Sequence, residues 1–130
     1  MSEEIDKRTF AEQWISNWNR RDVEGVLARF SEDAIFTSPR AKAILGSSRV
    51  EGKSRLREYW TKAIGRIQSI HFTLDYVIGD DDRIGIVYIS EINGVKMRSV
   101  EFLTLGADGL VHAALIFQVE DQCLKSLAGI

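Results

Sequence analysis

The sequence predicts an α+β fold: a curved antiparallel sheet with three helices on one face, closing a cone around an interior pocket. Three observations predict it. The first half carries apolar stripes at helical spacing. From Ile70 onward the residues alternate at strand spacing. Two hairpin signals, Asn93–Gly94 and Asp108–Gly109, fold that second half into a meander. The expected order is α-α-β-α-β-β-β-β.

The first helix is expected over roughly residues 6–21, where Phe10, Trp14 and Trp18 recur every fourth residue with Ala11 and Ile15 beside them. Asp22 reads as the N-cap of a second helix. Val23, Val26, Leu27 and Phe30 form its apolar stripe. Ala34–Thr37 reads as a short strand stopped at Ser38–Pro39. Residues 39–53 are expected to be a long loop, of the kind that walls or covers sites. Leu56, Tyr59, Trp60, Ala63, Ile64 and Ile67 mark the third helix.

In the next segment Ile70, Phe72, Leu74, Tyr76 and Ile78 share one face, and His71, Thr73 and Asp75 the other. Asp80–Asp82 is a turn. Arg83–Ile92, Val95–Leu105 and Leu110–Glu120 are the remaining strands. The last is apolar on both faces: Val111, Ala113, Leu115, Phe117 and Val119 point one way, Ala114 and Ile116 the other. One face can line the cone. The other has no helix left to cover it, which predicts a homodimer through the outer sheet face.

With 130 residues, 45% hydrophobic and 28% charged, the chain fits a single domain, 1–130. A net charge of −2 disfavours sequence-independent binding to nucleic acid or to an anionic membrane. No apolar run is long enough to span a bilayer. The start, MSEEIDKR, lacks an apolar signal region, and the lone Cys123 cannot form an internal disulfide. A cytoplasmic protein is expected.

Several motifs fail on spacing. Gly52–Lys53–Ser54 is like the end of a phosphate loop, but five residues separate Gly46 from Gly52 where four are needed. His71, His112 and Cys123 lack metal-ligand spacing, and Asp80–Asp82 lacks calcium-loop spacing, so no metal is expected. There is no nucleophile elbow. Arg40, Lys42 and Arg49 make the long loop basic. A solvated surface accounts for them, and a gate for an anionic ligand is the weaker alternative.

Glu101 is the sharpest observation. It shares a strand face with Ser99, Leu103 and Leu105, the face assigned to the cone. Desolvation there would raise its pKa and make a general acid or neutral hydrogen-bond donor near pH 7. The structural alternative is a register that puts it outside, or a plain hydrogen bond. Trp14, Trp18 and Trp60 are either core or the walls of an apolar pocket.

The segments WISNWNRRD, FSEDAIFTSP, EGKSRLREYW and FLTLGADGLV resemble the NTF2-like superfamily, which holds nuclear transport factor 2, SnoaL-like polyketide cyclases and ketosteroid isomerase. The likeness covers nearly the whole chain. It implies a cone-shaped barrel with a deep pocket and a homodimer through the outer face. Overlaid on ketosteroid isomerase, the oxyanion-hole tyrosine falls on Trp14, the general-base aspartate on Ser38 and the protonated acid on Glu101. Aromatic pocket positions fall on Phe30, Trp60 and Gln118. With serine at the base position, steroid isomerase activity is rejected.

The resemblance leaves two readings. One is a cofactor-independent acid–base isomerase, lyase or cyclase acting on a small hydrophobic molecule. Glu101 would be its catalytic group, and Trp14, Trp18, Phe30, Ser38, Trp60, His112 and Gln118 its substrate-binding residues. The other is a non-catalytic dimeric binding module, which the missing base favours. His112, close to the last hairpin, is expected nearer the rim than the centre.

Overall fold

Two short polar caps start the helical layer. In the computed structural model, which describes residues 6–120, Asp6 accepts a hydrogen bond from the Thr9 amide and opens α1 (Lys7–Asn19). Asp22 accepts from the Gly25 amide at 2.9 Å and opens α2 (Val23–Leu27). Cys123 lies outside the described residues. The chain continues through β1 (Phe30–Thr37), α3 (Pro39–Leu45), β2 (Arg49–Glu51), α4 (Lys53–Gly65), β3 (Ile70–Gly79), β4 (Arg83–Ile92), β5 (Val95–Leu105) and β6 (Val111–Glu120).

The strands form one six-stranded sheet in the order β2-β1-β6-β5-β4-β3. It is curved and unclosed. The β3 to β6 run is the antiparallel meander expected from the hairpin signals, and β1 joins β6 in parallel. The core lies between the concave face and the helices. Phe10, Trp14 and Trp18 of α1 and Leu56, Tyr59 and Trp60 of α4 are all buried.

Four local expectations are corrected. First, the long loop is not a loop. Ser38 caps α3 by accepting from the Arg40 amide, Pro39 takes the first helical position, and Gly46 ends the helix at φ 81°. Residues Arg49–Glu51 then pair with β1 as a strand. Second, α2 stops at Leu27, and Phe30 opens β1 instead, because it pairs with Val111.

Third, β3 bulges between Leu74 and Tyr76. The bulge reverses the alternation, so Val77 packs on the core while Tyr76 and Ile78 are exposed. Fourth, β5 and β6 slip between Thr104 and Leu105, where Leu105 pairs with Val111 but Thr104 with Ala113. Val111 therefore turns into the core and His112 is left without a ladder partner.

Side chains tie the helices to the exposed edge of the sheet. Asn19 accepts from the Phe72 amide at 2.6 Å and donates to the Phe72 carbonyl at 2.9 Å. This satisfies backbone groups on β3, the edge strand, and holds α1 against it. Arg21 donates to the Ile67 and Gln68 carbonyls beyond α4. Asn93 accepts from the Gln68 and Ser69 amides.

Removing the Asn19 clamp leaves two backbone groups without their partner. Asn19→Ala is expected to lower the unfolding free energy by about 2 kcal/mol. Urea denaturation measures it, and a loss under about 0.5 kcal/mol would mean that water replaces the clamp.

Candidate functional site

The two-residue turn at Asn93–Gly94 fixes the register of β4 against β5. It sets Ile86 opposite Glu101 and Tyr88 opposite Ser99. On the other side, Ile116 lies opposite Glu101 and Gln118 opposite Ser99. The concave face thus carries an acid flanked by two isoleucines and, one step along, a polar row. Gln118 Nε2 donates to Ser99 Oγ at 3.1 Å, and the Ser99 hydroxyl lies 3.4 Å from that of Ser90.

Above this face is a cavity of about 300 Å³. Trp14, Trp18, Ser38, Trp60, Glu101 and Gln118 all line it. The aromatic walls pack on one another. Trp14 stands edge-on to Tyr88 at 5.1 Å, Trp18 edge-on to Trp60 at 5.2 Å, and Trp60 tilts on Phe36 at 5.5 Å. The tryptophans are therefore both core and wall. Trp18 Nε1 is buried with no hydrogen-bond partner among the described residues.

Phe30 and His112 do not line this cavity. Phe30 is buried behind Trp60, with ring centroids 5.3 Å apart. His112 sits at the hairpin, with Nε2 at 3.0 Å from each Asp108 carboxylate oxygen and Nδ1 at 3.7 Å from Asp33. The β5–β6 slip turns it away. The substrate-binding role expected for His112 is thus corrected. Ser38 faces the cavity, but its hydroxyl serves as the α3 cap.

Glu101 is 3% exposed. Burial alone pushes its carboxyl from an ordinary value of 4.5 up to about 8. Burial also raises the hydroxyls of Tyr59 and Tyr88, and a charge on Glu101 would raise them further. The site therefore holds a neutral carboxyl and neutral phenols at pH 7. Sequence reasoning missed Tyr59, Tyr88, Phe36 and Phe72 as cavity residues. With Glu101 placed inward, the Asn93–Gly94 register would have found Tyr88.

A second cavity of about 340 Å³ lies across α1, lined by Gln13, Asn17, Arg20 and Arg29 among others. It contains no acid, so the Glu101 cavity is the candidate site. Among the described residues, no three His, Cys, Asp or Glu side chains gather as a metal site requires. No described helix is long and apolar enough to cross a membrane.

The sequence profile of the SnoaL-like domain matches residues 11–114. The chain belongs to the SnoaL-like family. No curated protein sequence matches it. A SnoaL-like protein from Burkholderia thailandensis is 24% identical and superposes with a TM-score of 0.80, covering 91% of this chain and 99% of that one. An NTF2-like protein from Cytophaga hutchinsonii is 14% identical, with a TM-score of 0.69 over 95% of this chain and 99% of that one. SalBIII, an epoxide hydrolase/cyclase-like enzyme of pyran ring formation in the polyether salinomycin, is 18% identical, with a TM-score of 0.71 over 92% of this chain and 95% of that one. At these identities the likeness establishes the SnoaL-like fold alone.

The raised carboxyl makes a pH prediction. Between pH 4.5 and about 8 the folded chain keeps Glu101 protonated while the unfolded chain ionises it. The stability this group contributes is whole below 4.5 and is lost as pH rises through about 8. Relative to Glu101→Gln, the native protein should lose up to about 5 kcal/mol over that window and then level off. Denaturation midpoints across pH test this, and parallel curves for the two proteins would contradict it.

Proposed function

We propose that the Glu101 cavity binds a small hydrophobic molecule and rearranges it by acid–base catalysis, as an isomerase, lyase or cyclase that needs no cofactor. The single observation behind this reading is a desolvated carboxyl facing a cavity walled by aromatic rings. Such a carboxyl is protonated at pH 7 and so poised to give a proton to a ligand oxygen.

Ring closure illustrates the chemistry. Glu101 gives its proton to an epoxide oxygen while a hydroxyl of the same molecule attacks the epoxide carbon. The C–O bond of the epoxide breaks, and a new ring C–O bond forms. The carboxylate then takes the proton of the attacking hydroxyl. Nothing is gained or lost, and the enzyme is restored. The likeness to SalBIII supports this choice by analogy of fold. Isomerisation of a β,γ-unsaturated ketone would use the same group. Glu101 gives its proton to the carbonyl oxygen, and its carboxylate takes a proton from the α-carbon. That proton is then delivered to the γ-carbon as the enol hydroxyl gives its own back to Glu101.

The second reading, a binding module without turnover, draws on a specific observation. Among the described residues, Glu101 is the only carboxylate lining the cavity, and a serine, which is a poor base, stands at the base position and caps α3. The same group must therefore act as both acid and base, or the cavity only binds.

The two readings part on one experiment. The protein is incubated with hydroxy-epoxides and β,γ-unsaturated cyclic ketones, and products are followed by NMR. Glu101→Gln should lower kcat by about 10²- to 10⁴-fold while ligand binding persists. The native rate should fall as pH rises past about 8, where the acid ionises. Binding without turnover in either protein selects the binding module, and turnover that survives the substitution removes Glu101 as the catalytic group.

The convex face supports the homodimer. Phe102 and Phe117 stack edge-on there at 41% and 54% exposure, with Leu115 and Val119 beside them. Sedimentation should find a dimer at micromolar concentration and a monomer for Phe117→Lys. A monomeric native protein would remove this part of the reading.

A further inference from the structure

The lining of the Glu101 cavity is unevenly charged. Arg40, Arg66 and Glu101 are its three formally charged side chains. The acid is deep and buried, whereas both arginines are exposed at the mouth. The mouth is thus a cluster of positive charge in a chain whose net charge is −2.

Neither guanidinium forms an ion pair with a carboxylate among the described residues. Arg40 instead reaches from α3 to Met97 of β5, with Nη2 at 3.1 Å from the Sδ atom. In the sheet, β6 lies between β5 and the β1 strand that leads into α3. The side chain therefore straps the open end of the cone, above the row that carries Gln118. A thioether is a weak acceptor, so most of the guanidinium's five donors are left to solvent or to a ligand. Its charge reaches inward as well, working against the rise of the Tyr59 and Tyr88 hydroxyls.

Resting on the reading of this cavity as a ligand site, we infer that its ligand is an amphipathic organic anion: a small ring body among the indoles, with a carboxylate at the mouth held by Arg40 and Arg66. Planar guanidinium and carboxylate groups match in geometry, and a carboxylate is a far better acceptor than the Met97 sulfur it would displace. The deep end takes the ligand's neutral oxygen, which is the end that reacts. The arginines then set orientation: they keep the charged end in the mouth and the reacting end at Glu101. They also select against neutral molecules of the same shape. A volume of about 300 Å³ is at the small end for such sites, which limits the body to one or two fused rings.

Matched probes test the assignment. Benzoate, naphthalene-2-carboxylate and biphenyl-4-carboxylate are each compared with their carboxamide. Quenching of tryptophan fluorescence reports occupancy, since Trp14, Trp18 and Trp60 line the cavity. In at least one pair the acid should bind about fivefold tighter than its amide. That preference should shrink with added salt and vanish in the Arg40→Gln/Arg66→Gln double variant, where the acid loses more affinity than its amide does. Equal affinities in the native protein, or a preference that survives the double variant, would overturn the anion assignment and leave the ligand site standing. If no member of any pair binds, both fall together.

Discussion

The candidate site turns on where one carboxyl is placed. Glu101 lies on the concave side of β5 with Ile86 and Ile116 as its cross-strand neighbours. Nothing in that row compensates a negative charge, so the group stays protonated to about pH 8. A buried polar group of this kind is a poor way to gain stability. An aliphatic residue of similar size would pack the same row without the desolvation cost. Stability therefore does not explain an acid at this position.

The surrounding structure keeps that carboxyl in an apolar setting without closing the space over it. Trp14, Trp18 and Trp60 brace one another edge-to-face, so they wall the cavity instead of collapsing into it. Their positions depend on α1 and α4. The first is held to the sheet edge by Asn19, and the segment that follows the second is held by Arg21 and by Asn93 of the β4–β5 turn. These polar clamps lie at the ends of the elements, where backbone groups need partners. The interior is thereby left almost wholly to aromatic and aliphatic side chains. Rigid walls of this sort fix the dielectric around Glu101 and with it the protonation state.

Much of this was legible in the chain. The Asn93–Gly94 turn pins one register, and the β4 and β5 limits follow from it residue for residue. The inward row of Ser99, Glu101 and Leu103 follows from alternation alone. Alternation fails where the sheet bulges. The slips at Leu74/Tyr76 and Thr104/Leu105 reverse its sense, which misplaced Tyr76, Ile78, Val111 and His112. A bulge is a property of two paired strands, and neither strand's sequence announces it. The α3 helix is a different case. Ser38–Pro39 with Gly46 is a complete start and stop signal, masked here by a polar stretch that also reads as loop.

The inner and outer faces of this sheet cannot be changed independently. Along β5, Glu101 inward requires Phe102 outward, and along β6, Gln118 inward requires Phe117 outward. A one-residue slip of β5 would carry Glu101 into water and press Phe102 or Val100 into the cavity. The acid would then titrate as an ordinary carboxyl, and a phenyl ring would fill the cavity. The apolar convex face would be broken in the same step. Burial of Trp14, Tyr88 and Ile86 on one side and the edge-on contact of Phe102 with Phe117 on the other thus favour the same register. The exposed aromatic surface helps to hold the acid in place even though it never touches it.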